Sequence, residues 1–306
     1  MAKKNQGLDA VPVLHAASTK ADKVFDVVNA IIMIILCVII VYPLWYVLLA
    51  SFTDPAVVNS GKMLLIPTNL YFAGYKTAFS FSSLLSGYKN NIIYTVVGTV
   101  VSICCTIPGA YALSRKDLVG RRQLLFLFTF TMFFSGGIIP MFITLKTLKL
   151  YNTMWALVLP AAISVYNMIV CRSFFESTLP KELLEAAHID GESDIGFFFK
   201  IAIPLSSTII AVMVLFYATA MWNVFFNAQM FIGDDDKMPL QVVLRNLVLS
   251  NQLSQGASGA EAAEKQKLID QLKYVIITVS AVPLMIVYPF VQKYFAAGVT
   301  LGAVKG

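Results

Sequence analysis

The chain has 306 residues, of which 58% are hydrophobic and only 13% charged, with a formal net charge of +6 and a mean hydropathy of +0.74. A soluble domain is roughly half apolar and a quarter charged, so this composition excludes that class and places the chain in a bilayer. Its basic residues are spread over separate loops without interleaved aromatics, which argues against nucleic acid as a partner and for attraction to anionic lipid.

Residues 1–24 carry Lys3, Lys4, Lys20 and Lys23 and show no sustained apolar period, so they are expected to form a polar cytoplasmic tail. An uncharged run follows over 27–49. At ~1.5 Å per residue it covers a hydrocarbon core of about 30 Å, and it is too long and too far along the chain for a cleaved leader. Pro43 predicts a kink there, and Trp45 and Tyr46 suit the outer interface. Residues 51–91 read as an external segment. A second span is expected over 92–111, and Arg115, Lys116, Arg121 and Arg122 mark the short loop after it as cytoplasmic.

The third span, 124–145, is interrupted by Ser135, Gly136, Gly137 and Pro140. Such a break can expose backbone groups to a solute path, or it can reflect close helix packing at small residues with a tolerated proline kink. The fourth span is expected over 154–170.

Next comes the one long polar passage of the second half that reads as helix, turn, helix, Lys181 to Gly191. Pro180 lacks a donor that a first helical turn does not need, and Glu182 and Glu185 lie near the positive end of the helix dipole. Leu183, Leu184 and Ala187 recur at helical spacing, and Gly191 stands where a left-handed residue would end the helix. Ser193 or Asp194 can cap a second short helix running through Phe197 and Phe198 to Ile201, and Pro204 opens the fifth span, 204–226. An amphipathic helical hairpin of this kind, between apolar spans, suits docking against a partner.

The outer end of the fifth span carries Trp222, Asn223, Asn227 and Gln229. Aromatics and amides together suit sugar stacking and hydroxyl recognition, or the aromatics simply anchor the interface. Residues 232–272 read as a second external segment. Within it Asp234, Asp235 and Asp236 lack the alternate spacing of a calcium loop and are taken as a solvated turn. The last span is expected over 274–291. The fold class is therefore an all-α polytopic membrane protein with six transmembrane helices and both termini cytoplasmic. It divides into a tail (1–24), a six-helix transmembrane domain (25–294) containing the hairpin loop 178–203, and a second tail (295–306).

The four cysteines, Cys37, Cys104, Cys105 and Cys171, fall in or beside apolar runs and are read as packing residues. The six spans contain no Asp, Glu, Lys, Arg or His, whereas ion-coupled carriers commonly hold such residues in the bilayer. The same absence leaves an intramembrane enzyme's nucleophile with no His or carboxylate to pair with, so no catalytic or metal-binding residue is assigned. The chain also lacks a phosphate-cradling G-x-x-x-x-G-K-[ST] loop. Uphill transport would thus draw on ATP hydrolysed by another chain. A membrane scaffold that only recruits a cytosolic partner is the other class left open.

Glu185-Ala186-Ala187, with Gly191 four residues on and Ile201-Ala202-Ile203-Pro204 after it, resembles the EAA loop by which ABC importer permeases grip their ATPase. Ile203 replaces the usual Leu. The ending from Gly298 to Gly306 is similar to that of MalG-type permeases of carbohydrate uptake, and the LplC/YtcP-like oligosaccharide permeases resemble the chain most. The resemblance implies half of a translocation pathway in a bacterial cell membrane, for an oligosaccharide or glycoside or else a non-sugar solute. It implies a second homologous permease, two copies of an ABC ATPase carrying the ATP and Mg, and an extracytoplasmic sugar-binding protein. ATPase contact would fall to Glu182, Glu185, Ala186, Ala187, His188, Asp190, Gly191, Phe198 and Pro204. The tail residues Gly302, Val304, Lys305 and Gly306 would reach between the ATPases. Trp222, Asn223, Asn227, Gly136 and Gly137 are the candidates for the solute path.

Overall fold

The computed structural model describes residues 19–61, 65–66, 69–253, 266–283, 285–286 and 289. The first helix, α1 (Lys20–Phe52), is one 33-residue element beginning within the expected tail. Thr19 and Asp22 form a reciprocal capping box, at 2.8 and 3.2 Å, which starts the helix before the apolar run begins. None of its most apolar window is buried within the chain, and it packs on the body only towards its end, where Leu49, Ala50 and Ser51 are buried and Tyr46 and Phe52 meet Tyr274 and Tyr75.

Two short helices follow, α2 (Pro55–Asn59) and α3 (Ala73–Ser80), then α4 (Ser82–Ser114), another 33-residue helix. It reaches well beyond the expected span because Asn90 and Asn91 are helical and packed rather than in a loop. The third span breaks sharply: α5 (Arg121–Phe133) and α6 (Ile138–Thr147) meet at 112°. The fourth is also broken, α7 (Trp155–Ala161) meeting α8 (Val165–Thr178) at 45° just after Pro160.

The hairpin is α9 (Lys181–Ile189) and α10 (Asp194–Phe197), continued by a π-turn (Phe198–Ala202) into α11 (Ile203–Leu205). Pro204 has no N–H, and its ring would crowd the carbonyl of Lys200 in a regular α-helix. The wider turn, with the Ile203 N–H donating to Phe198 O, relieves that conflict. The chain then bends by 80° at Ser206 into α12 (Ser207–Trp222). A short α13 (Phe226–Phe231), a 3-10 turn (Asp235–Lys237), α14 (Leu240–Leu253) and α15 (266–283) complete the described chain.

The molecule is all-helical. Among the described residues two helices are long and apolar enough to cross a membrane, and up to five spans result if each bent pair is one span. The sixth expected span, 274–291, and the last tail lie partly or wholly outside the described residues, as does most of the first tail. The core has two ends. At one, Ile107, Met168, Cys171, Phe175, Phe197, Met213 and Tyr217 pack between α4, α8, α10 and α12. At the other, Leu84, Trp222, Leu240, Val275 and Ile276 join α4 to α12, α14 and α15. Of the cysteines only Cys171 packs inside, and Cys37, Cys104 and Cys105 face outward.

Candidate functional site

The hairpin is built by local rules. Glu182 occupies the first turn of α9, and Lys181 and Glu185 pair at 2.7 Å across one turn, which raises the Lys181 pKa. At the other end Gly191 adopts φ +80°. Its N–H donates to His188 O at 3.0 Å and that of Glu192 to Ala187 O at 2.9 Å, the paired bonds of a Schellman ending. The Ser193 side chain then accepts from the Gly196 N–H at 3.1 Å and starts α10. Lys200 reaches back to Glu192 at 2.8 Å, holding that carboxyl below its ordinary pKa.

The two faces of α9 differ. Leu183, Leu184 and Ala187 turn inward onto the core, Ala187 being only 6% exposed. Glu182, Glu185, Ala186 and Ile189 share the outward face, with Ile189 87% exposed. Ile195 and Phe199 extend the exposed apolar surface along the second arm, and Asp190 is exposed at the turn. Phe198 points the other way: it is buried, with its ring 4.9 Å from that of Tyr111. Of the residues grouped for ATPase contact, Ala187 and Phe198 therefore face the bundle, because the apolar stripe of α9 and the π-turn both rotate inward. Ile189, which the sequence reading does not include, lies two turns on from Glu182 and one turn on from Glu185.

A charged node ties the hairpin to α4. Arg115, just past the end of α4, gives Nε and Nη2 to the two carboxylate oxygens of Asp117 at 2.8 and 2.6 Å. Its Nη1 donates to Asp194 Oδ1 at 2.9 Å and to the Tyr111 hydroxyl at 3.2 Å. His188 Nε2 lies 3.2 Å from the same Asp194 oxygen. The guanidinium draws Asp117 down to about 2 and holds Asp194 below its usual value. Between this node and α9 lies a cavity of about 360 Å³, lined by Lys116, Glu176, Lys181, Leu184, Glu185 and His188 among others.

Beside it, the carbonyl of Leu113 accepts from Arg121 Nε at 2.8 Å and Arg172 Nε at 3.2 Å, and Glu176 pairs with both arginines. Cations at the last turn of α4 complement its dipole. The basic loop read from sequence only as a marker of sidedness is thus knitted into the hairpin end.

The other candidates are dispersed. Gly136 and Gly137 are exposed in the α5–α6 break, where Gly137 has φ +83° and ψ 179°, and no neighbour approaches a Cβ built on Gly137 within 4 Å. Within this chain these glycines do not serve close helix packing. Trp222 is buried in the far core, its ring packed between α4, α14 and α15 and its Nε1 without a partner among the described residues. Asn223 and Asn227 are exposed, the former bonded to Thr219 O at 2.8 Å. Near them Arg245 donates to Gln229 Oε1 at 2.6 Å and lies 5.3 Å over the Phe225 ring, a cation and amide group at the far end that sequence reading did not assemble. Asp234 is engaged by Lys237 and by Asn152, each at 2.7 Å. Gly302, Val304, Lys305 and Gly306 lie outside the described residues.

Comparison with known proteins adds the family. The model of the binding-protein-dependent transport system inner membrane component matches residues 78–301. The polygalacturonan/rhamnogalacturonan transport system permease protein YtcP of Bacillus subtilis is 40% identical over 93% of this chain and 99% of its own length. Protein LplC of the same organism is 40% identical over 94% of this chain and 97% of its own. A crystal structure of a bacterial ABC transporter that imports the acidic polysaccharide alginate contains a chain that superposes with a TM-score of 0.79. That chain is 33% identical, with 90% of this chain and 98% of the other covered.

Proposed function

Because this chain belongs to the binding-protein-dependent transport system inner membrane components, we propose that its α9–α10 hairpin is the contact through which a separate ATPase drives it. The chain is the permease subunit of an ABC importer of oligosaccharides, a multi-pass protein of the bacterial cytoplasmic membrane, and not the ATPase.

The observation that carries the coupling reading is the division of α9 into an inner face locked on the core and an outer face offering Ala186 and Ile189 to water. An isoleucine 87% exposed on a polar hairpin leaves apolar area for a partner to cover. On this reading Glu182 and Glu185 flank the contact, Gly191 sets the angle between its arms, and Ala187 and Phe198 fasten the hairpin from inside. Closure of two ATPase subunits around ATP and Mg would displace the hairpin and tilt the helices attached to it. The hairpin end then faces the cytoplasm, the arginine-rich loop agrees with that sidedness, and six spans put both termini inside. The residues 302–306 would add a second contact between the ATPases.

A second homologous permease would complete the pathway, and a binding protein would deliver solute at the far end. The saccharide named for YtcP and the acidic polysaccharide of the alginate transporter point to an anionic oligosaccharide as substrate. Arg245, Gln229 and Phe225, with Asn223 and Asn227 nearby, offer a cation, amides and an aromatic face for such a ligand.

The test is purification of the tagged chain in mild detergent, with its companions identified by mass spectrometry, beside an Ile189→Asp variant. A second permease and an ATPase are expected, with the variant retaining the permease and losing most of the ATPase. Full retention of the ATPase by the variant would overturn the assigned contact.

A further inference from the structure

The hairpin is joined covalently only to α8, through Leu179 and Pro180, and to α12, through the π-turn and the 80° bend at Ser206. Both joints are irregular backbone, so the direction in which the hairpin moves is set by what it packs against rather than by its covalent links. The longest helix of the bundle core, α4, is remote from it in sequence. Yet α4 is the element that joins the two ends. At ~1.5 Å per residue its 33 residues span roughly 50 Å. Its far end carries Asn90, which donates to Asp236 O at 2.7 Å, and Tyr94, whose hydroxyl donates to Lys237 O at 2.8 Å.

Resting on the coupling role given to the hairpin, we propose that Arg115 is the positioning residue that makes the hairpin and α4 move as one body. Three observations support it. The guanidinium is oriented before it meets the hairpin, because Asp117 fixes it in a two-point pair and Tyr111, one turn earlier on α4, accepts from it. It then spends its remaining reach on Asp194, the first residue of α10. And its own side chain is only 17% exposed, held against the end of α4, while the Asp194 carboxylate, 64% exposed, meets it from the water side. Directly beneath it the Tyr111 ring packs on Phe198, so the ionic clamp fixes the orientation of a joint whose apolar half would still allow sliding. Displacement of the hairpin would then be carried along α4 to the turn at 234–238.

The experiment uses the intact importer in nanodiscs: this chain, its companion permease and its ATPase. With the native cysteines replaced, spin labels at Val119 and Ile195, both strongly exposed, report the distance between the α4–α5 loop and the hairpin. Without nucleotide and with a non-hydrolysable ATP analogue, the native pair should give one narrow distance that does not change. Arg115→Gln should broaden it and introduce a nucleotide-dependent shift on the order of 5 Å. The exchange of charges, Arg115→Asp with Asp194→Arg, should restore the single distance, which a merely destabilising substitution would not. Arg115→Gln with an unchanged narrow distance in both states, or native chain with a distance that shifts on nucleotide, would overturn the clamp. Failure of the hairpin's assigned role would show differently, as a chain that co-purifies with no ATPase.

Discussion

Gln271 on α15 accepts the backbone N–H of Gly74 on its Oε1 at 2.7 Å, across 197 positions of sequence. Its Nε2 donates to Ser51 O at 3.0 Å and also to Tyr71 O, so one fully buried amide joins the end of α1, the segment before α3 and α15. A buried group that loses its partner costs about 1–3 kcal/mol. Gln271→Leu should therefore lower the thermal midpoint of the detergent-purified complex clearly. Thr278→Val on the same helix removes a buried hydroxyl that has no partner among the described residues and should be neutral or stabilising. Fluorescence-detected size exclusion after heating compares the two, and equal losses would contradict the assignment.

Gly191 gives a graded prediction. Its φ of +80° is left-handed, and a Cβ built there meets nothing within 4 Å, so substitution acts through backbone strain alone. That strain is about 1–2 kcal/mol for an ordinary L-residue, less for Asn and worst for a β-branched side chain. ATPase retention and ligand-stimulated turnover should fall in the order Asn, Ala, Val while membrane insertion stays normal. Equal activity of the Asn and Val variants would count against the turn.

The neighbouring glycines of the α5–α6 break should behave differently from each other. Gly137 lies in a region essentially closed to other residues, at a cost of about 1–3 kcal/mol. A Cβ on Gly136 would meet only Pro140 Cβ at 3.8 Å, an ordinary contact. Gly136→Ala should leave transport intact and Gly137→Ala should impair it. Spin labels on α5 and α6 should show the 112° angle opening only in the second variant.

The Arg115 node fixes a pH dependence. Asp117 is depressed to about 2 and Asp194 lies below its ordinary 3.8, both chiefly through Arg115. A depressed carboxylate contributes fully above its unfolded value and loses that contribution as pH falls through the lowered one. The groups facing Asp194 are Arg115 and His188, and Arg115 stays protonated throughout. The distance between labels at Val119 and Ile195 should therefore hold from about pH 8 down to about pH 5. Broadening within that window would show that the carboxylates are not what holds the joint.

Much of this architecture is legible in the sequence where one local rule decides. Long uncharged runs give the helices, Gly191 gives the turn, Ser193 the cap, and Ser135 to Gly137 the break. What was not legible depends on partners distant in sequence. Asn90 and Asn91 look like loop residues until the turn at 236–238 and the end of α12 supply carbonyls to them, leaving Asn90 half-buried and Asn91 buried. Trp222 looks like an outer aromatic until α14 and α15 close over it. Arg115 reads as one positive charge among four, because nothing in its own loop shows that Asp194, 79 residues on, will meet it. The bend after Ala161 has only Pro160 to announce it, and that proline lies inside α7.

The account rests on the outer face of α9 being on the ATPase side of the membrane and covered by it. The most direct measurement places a cysteine at Ala186 in an otherwise cysteine-free importer in intact cells. A membrane-impermeant thiol reagent applied outside should leave it unlabelled, while oxidation should cross-link it to a cysteine introduced at the ATPase surface, with yield changing on nucleotide binding. Labelling from outside, or no cross-link to any nucleotide-hydrolysing subunit, would contradict the account.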